Sequence, residues 1–145
     1  MIYIIQNIGV IAAAAVAAFV FGAVYYTALD KPWLAAAGLT QDDIKGPNGK
    51  PSFVPYIISF LAEFWMACIL AGALILAPAE AGAWTMAIGT AIILWLGFIA
   101  PTMLVNNRYE MRSLSLFFIN AGHWLGVLIV QAVVLQAIGV NPPTI

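Results

Sequence analysis

Residues 54–77 read VPYIISFLAEFWMACILAGALILA, an apolar run in which Glu63 is the one charged residue. A hydrocarbon core of about 30 Å takes about 20 mainly apolar residues to cross as a helix. The run is continuous and not alternating, which argues against a barrel strand. Inside lipid, a helix satisfies its own backbone groups without a neighbour. Three further stretches have the same character, at 4–29, 83–105 and 114–138. Their breaks are marked by Asp30-Lys31-Pro32, by Pro78-Ala79-Glu80-Ala81-Gly82, by the polar run Asn106 to Arg112, and by Asn141-Pro142-Pro143. The expected fold is all-α, a four-helix transmembrane bundle in one domain, 1–145, with a short helical loop between helices 1 and 2.

Composition agrees. Hydrophobic residues make up 64% and charged residues 8%, where a soluble domain carries about 25% charged. A net charge of −1 offers no footprint for nucleic acid. Cys68 is the single cysteine, so an internal disulfide is impossible and no CxxC motif exists. The N-terminal apolar run lacks the basic region of a cleavable signal peptide.

All five Lys and Arg residues fall in the first and third loops: Lys31, Lys45 and Lys50, then Arg108 and Arg112. The positive-inside rule places those loops in the cytoplasm and both termini outside. The expected location is the cell inner membrane. Tyr3, Tyr25, Tyr26, Trp84 and Tyr109 lie near span ends, as an aromatic belt would.

In the first loop, Pro32 to Ala37 predicts a short helix stopped by Gly38. Thr40 followed by Asp42 and Asp43 resembles a second helix start. Gly46-Pro47-Asn48-Gly49 is turn chemistry. The plainest expectation is a surface-lying connector anchored by Trp33; a docking site or lid is the functional alternative.

Three segments carry a family resemblance: Phe21 to Tyr26 with the following Lys31-Pro32-Trp33 and Gly38-Leu39-Thr40, Leu94 to Phe98, and Leu116 to His123. Their order and spacing resemble the family catalogued as domain of unknown function 1761, small bacterial four-helix membrane proteins, over about Val10 to Gly139. Tyr25 stands where members commonly have Trp. The resemblance implies the fold and no activity.

Glu63 and His123 each lie about nine residues inside a span entered from the cytoplasm, roughly 13 Å deep at 1.5 Å per residue. Counting from the same side brings Trp95 and Ala18 to that depth. Helical spacing adds Asn120, Trp124, Val127 and Gln131 to the face of His123. It puts Tyr56 and Ser59 with Glu63, and Thr102 and Asn106 with Trp95, with Pro101 a kink. Ala14, Ala18 and Gly22 form a small-residue ridge for helix contact. Polar faces are expected to turn inward.

Two readings of the layer compete. In one, Glu63 is a neutral acid bonded to His123 or a carbonyl, and the layer sets helix register. In the other, Glu63 and His123 relay protons or bind a cationic solute, the default for an intramembrane ionisable group. No cofactor is expected; a haem or metal would need a second histidine from another copy. The leading function is an accessory or scaffold subunit, partnered by lipid and by a homo-oligomer or larger membrane complex. The alternative is a small oligomeric transporter or channel; the small multidrug resistance proteins are a poor analogy, since their glutamate lies in the first helix. An enzyme ranks last, because neither HExxH nor GxSxG occurs. A reporter active only in the cytoplasm, fused after Ile145, is expected to be silent; strong activity overturns the orientation.

Overall fold

The computed structural model describes residues 2–143 and is all-helical, with four helices long and apolar enough to cross a membrane. These are α2 (Ile8–Ala28), α4 (Val54–Ile75), α5 (Ala83–Tyr109) and α6 (Leu114–Ile138). A single turn, α1 (Ile2–Gln6), precedes α2, and α3 (Asp30–Ala37) follows it. The chain is thus a multi-pass membrane protein by the character of its helices.

Helix α6 is the hub. It packs against α2 most extensively, then against α5, and touches α4. Lipid tails are as apolar as leucine, so burying apolar surface does not drive these contacts; close packing and hydrogen bonds do. The α2–α6 seam shows how the packing is achieved. Rings from one helix sit over glycines of the other. His123 occupies the space a Cβ on Gly22 would need, 2.8 Å from its Nε2. The Tyr25 hydroxyl lies 2.9 Å from the Cβ position of Gly122, and the Phe21 ring fills that of Gly126. Ala14, Ala15 and Ala18 of α2 are fully buried below this seam. At the other end, Tyr3 lies over Gly72 of α4 and donates to the Cys68 carbonyl (3.1 Å).

Several boundaries differ from the sequence expectation. The first span does not run unbroken from residue 4. Asn7, at φ −112° and ψ 16°, separates α1 from α2, although Asn7 N still bonds to Tyr3 O (2.9 Å) and Ile11 N to Asn7 O (3.0 Å). Its side-chain amide donates to the Tyr3 carbonyl (2.8 Å) and to the Asn141 carbonyl (3.0 Å), while its Oδ1 accepts from Asn141 N (2.8 Å). The clamp also ties the start of the chain to the segment after α6.

The third span does not stop at Val105. The helix continues through Asn106, Asn107 and Arg108, and the third loop shrinks to a turn in which Met111 takes a positive φ of 55°. Within α5, Trp95–Ile99 widens into a π turn, with Ala100 N bonding to Trp95 O. Pro101 follows. It lacks an N–H, and its ring would press on the Gly97 carbonyl of a regular turn, so one extra residue in the preceding turn relieves the conflict.

No helix forms after Thr40. The Asp43 carboxylate accepts from Thr40 N and Oγ1, both at 2.7 Å, and closes a turn instead. Those bonds, the side-chain one first, hold the Asp43 carboxyl below its usual range. Gly46-Pro47 leaves too little chain for a helix to nucleate. The connector does not merely lie on a surface either. Leu34 is buried, and Ser113 caps α6 by accepting from Leu116 N while donating to Ala36 O (2.7 Å) at the end of α3. Arg112 adds a longer bond to Ala37 O (3.4 Å). The first and third loops are therefore stitched together.

Gly126→Ala is expected to destabilise the protein in detergent by about 1–3 kcal/mol through overpacking against Phe21. Gly89→Ala, where nothing lies within 4 Å of the added Cβ, is the control and is expected to be silent. Thermal unfolding of the two variants checks this; equal behaviour removes the glycine seam from the account.

Candidate functional site

Glycine at position 22 creates the site. It leaves a small volume between α2, α4 and α6 that His123 Nε2 and Glu63 Oε1 both border, the latter 3.8 Å from the missing Cβ. Glu63 is 1% exposed and His123 5%. The two groups are brought to one place, yet no hydrogen bond or ion pair joins them. Among the described residues the ion pair is Lys45–Asp42, far away in the first loop. The sequence expectation that the Glu63 carboxyl bonds to His123 or to a carbonyl does not hold: its Oε2 has no partner. Aromatic rings hold the imidazole instead. Tyr26, Trp124 and Tyr25 lie at centroid distances of 4.7, 5.0 and 5.6 Å, and Phe21 stacks at 6.3 Å.

Gln131, fully buried two turns beyond His123, reaches back to α4. Its Nε2 donates to the Glu63 main-chain oxygen (2.8 Å), and its Oε1 is left without a partner. Trp95 is half-buried and donates its indole N–H to the Ala121 carbonyl of α6 (2.7 Å). Asn120 is half-buried; its Oδ1 accepts from the Tyr26 hydroxyl (3.0 Å) and from Trp33 Nε1 (3.1 Å). On α2, Ala14, Ala18 and Gly22 are all buried.

Some expected neighbours are not inside. Tyr56 is 55% exposed, at the end of α4 beyond the packed region. Thr102 and Asn106 are exposed, while Met103 is half-buried and Asn107 buried. The shift is one residue in each case. The π turn between Trp95 and Pro101 inserts that residue and rotates the rest of α5 about its axis.

Tyr25, Tyr26 and Trp33 belong to the site, although their positions near a span end suggested a belt and an anchor. Tyr25 donates to the Ile119 carbonyl (2.9 Å) beside the Asn120 contacts. A signal was present. The ridge Ala14, Ala18, Gly22 advances by four, and the next step is Tyr26. Trp33 lies seven residues further, two helical turns on, and the backbone scarcely breaks at Leu29, where Trp33 N bonds to Leu29 O (2.8 Å).

Chemically, the layer is lopsided. Glu63 Oε2, Gln131 Oε1 and His123 Nδ1 lack partners. Two are oxygen acceptors, and the histidine nitrogen is an acceptor in one tautomer. Besides the committed Gln131 amide, the layer's own donor is the single ring N–H of His123, and its acceptors outnumber it. Among the described residues no group of three or more His, Cys, Asp or Glu side chains is arranged to hold a metal ion.

The model of the family described as Protein of unknown function (DUF1761) matches residues 10–136, most of the chain. The chain belongs to that family. No curated protein and no solved structure matches it.

Asn120→Ala removes the acceptor shared by Tyr26 and Trp33. A stranded donor costs about 1–3 kcal/mol, so amide exchange across Asp30–Ala37 is expected to accelerate while the core of α6 stays protected. Unchanged exchange in α3 contradicts the assigned contacts.

Proposed function

We propose that this protein binds and passes a proton or a small cationic solute across the inner membrane, using Glu63, His123 and Gln131 as its intramembrane site, with both termini outside. One observation carries the reading. Three polar atoms of the layer are buried without protein partners, whereas Tyr26, Asn120, Trp95 and the Gln131 amide beside them are bonded. A polar layer kept only for helix register would be expected to be fully paired, because an unsatisfied buried group costs about 1–3 kcal/mol. Unpaired acceptors around a carboxyl suit a species that brings positive charge or N–H and O–H donors. Intramembrane ionisable groups mark such pathways.

The route from the loop side is supported by adjacency. Asn120 bonds to Tyr26, Tyr26 packs on His123, and His123 shares the Gly22 volume with Glu63.

The accessory-subunit reading draws on α5, of whose apolar window only 6% is buried. Ile93, Leu96 and Phe98 point outward there, a face that lipid or a partner helix covers equally well. Co-purification of a stable partner from native membranes favours it.

In liposomes loaded with a pH-sensitive dye, wild-type protein is expected to dissipate an imposed pH gradient, or to do so when a small amine is supplied. Glu63→Gln preserves shape and is expected to reduce the rate by about tenfold or more. Flux equal to that of empty vesicles, or an unaffected variant, overturns the proposal.

A further inference from the structure

A second cavity lies at the end of the bundle that carries all the Lys and Arg residues. It has a volume of 330 Å³ and sits among α3, the end of α5 and the start of α6. That size is at the lower end for ligand sites. Its walls combine three kinds of surface. Asn106, Asn107 and Asn120 present amides; Glu110 and Arg112 present one charge of each sign; Leu39, Met103 and Phe117 are apolar.

The turn bearing the two charges is built, not loose. Asn107 is buried, its carbonyl accepts from Arg112 N (3.0 Å), and its side-chain amide donates to Ser113 O (3.1 Å). Its Oδ1 remains without a partner. Glu110 and Arg112 form no ion pair with each other or with any other described residue. Arg112 spends only one long bond, to Ala37 O. Two opposite charges held apart on one wall suit a ligand that carries both signs.

Depth narrows the class. Leu114, where α6 begins, lies about 13 Å from His123 along the helix axis, and half a hydrocarbon core is about 15 Å. The charges therefore stand at headgroup level and the apolar wall extends below them. The Asn106 amide oxygen and Glu110 suit an ammonium with N–H donors, since Asn120 Oδ1 is already taken by Tyr26 and Trp33 and Asn107 Oδ1 is buried. Quaternary ammonium has none and calls for an aromatic cage, which Trp33 and Phe117 alone do not make.

We propose that this cavity binds a phosphoethanolamine zwitterion, the headgroup of phosphatidylethanolamine, with Arg112 on the phosphate and Glu110 with the Asn106 amide oxygen on the ammonium. The site is separate from the Glu63 layer and does not depend on it.

The test is native mass spectrometry of the detergent-solubilised chain, titrated with phosphatidylethanolamine, phosphatidylcholine, phosphatidylglycerol or soluble glycerophosphoethanolamine. Phosphatidylethanolamine is expected to be retained about fivefold better than the other two lipids. Arg112→Gln and Glu110→Gln are each expected to erase that preference; Glu110 makes no side-chain bond in the fold, so its variant guards against misfolding. Binding of the lipid without glycerophosphoethanolamine identifies the bilayer as the source, and the reverse identifies an aqueous solute. Equal retention of all three lipids with no binding of the soluble compound, or a preference that survives both substitutions, overturns the proposal.

Discussion

The structure depends on rings seated over glycines between α2 and α6. In water, two apolar helices associate because burial removes surface from solvent. In lipid that gain is absent, and association rests on how closely the backbones approach. Gly22, Gly122 and Gly126 each give up a side chain so that His123, Tyr25 and Phe21 can lie across the seam. The arrangement is reciprocal: α2 supplies one hole and two rings, α6 two holes and one ring. A step of four relates Phe21 to Tyr25 and Gly122 to Gly126, and steps of three relate Gly22 to Tyr25 and His123 to Gly126, so each set shares one broad face.

The same seam accounts for the polar layer. His123 can stand in the interior because Gly22 leaves it room, and Glu63 borders the volume that remains. The rings around the imidazole offer it packing but few hydrogen bonds. Four nearby side chains have already committed their donors: Trp95 to Ala121, Tyr25 to Ile119, Tyr26 and Trp33 to Asn120. Glu63, Gln131 and His123 are left with polar atoms that no protein group satisfies. Cost and opportunity coincide there, as they do at binding sites generally.

How much of this was legible in the sequence follows from what each feature rests on. Four helices were legible because continuous apolar runs broken by Pro, Gly and charge admit no other spanning structure. The common depth of Glu63 and His123 follows from counting along two regular helices, and counting works where the rise is constant. Counting fails past Trp95, because the π turn before Pro101 adds a residue and turns Asn107, not Asn106, inward. Asn7 is a different failure: its apolar surroundings conceal that its amide bonds to a carbonyl near the far end of the chain. Position alone suggests a belt for Tyr26 and a connector anchor for Trp33, although the stride of four through Ala14, Ala18 and Gly22 leads to Tyr26. The missing bond between Glu63 and His123 had no signal, since it depends on where the rings hold the imidazole.

The most direct test of the seam is a double-mutant cycle on Phe21 and Gly126, followed by reversible unfolding in mixed micelles. Contacting residues couple by about 0.5–3 kcal/mol, and independent ones add. The account predicts that Phe21→Leu recovers part of the stability lost in Gly126→Ala, because the smaller side chain vacates the space the new methyl needs. Strict additivity of the two substitutions would mean that the ring does not sit over the glycine, and would contradict the packing on which the Glu63 and His123 site is built.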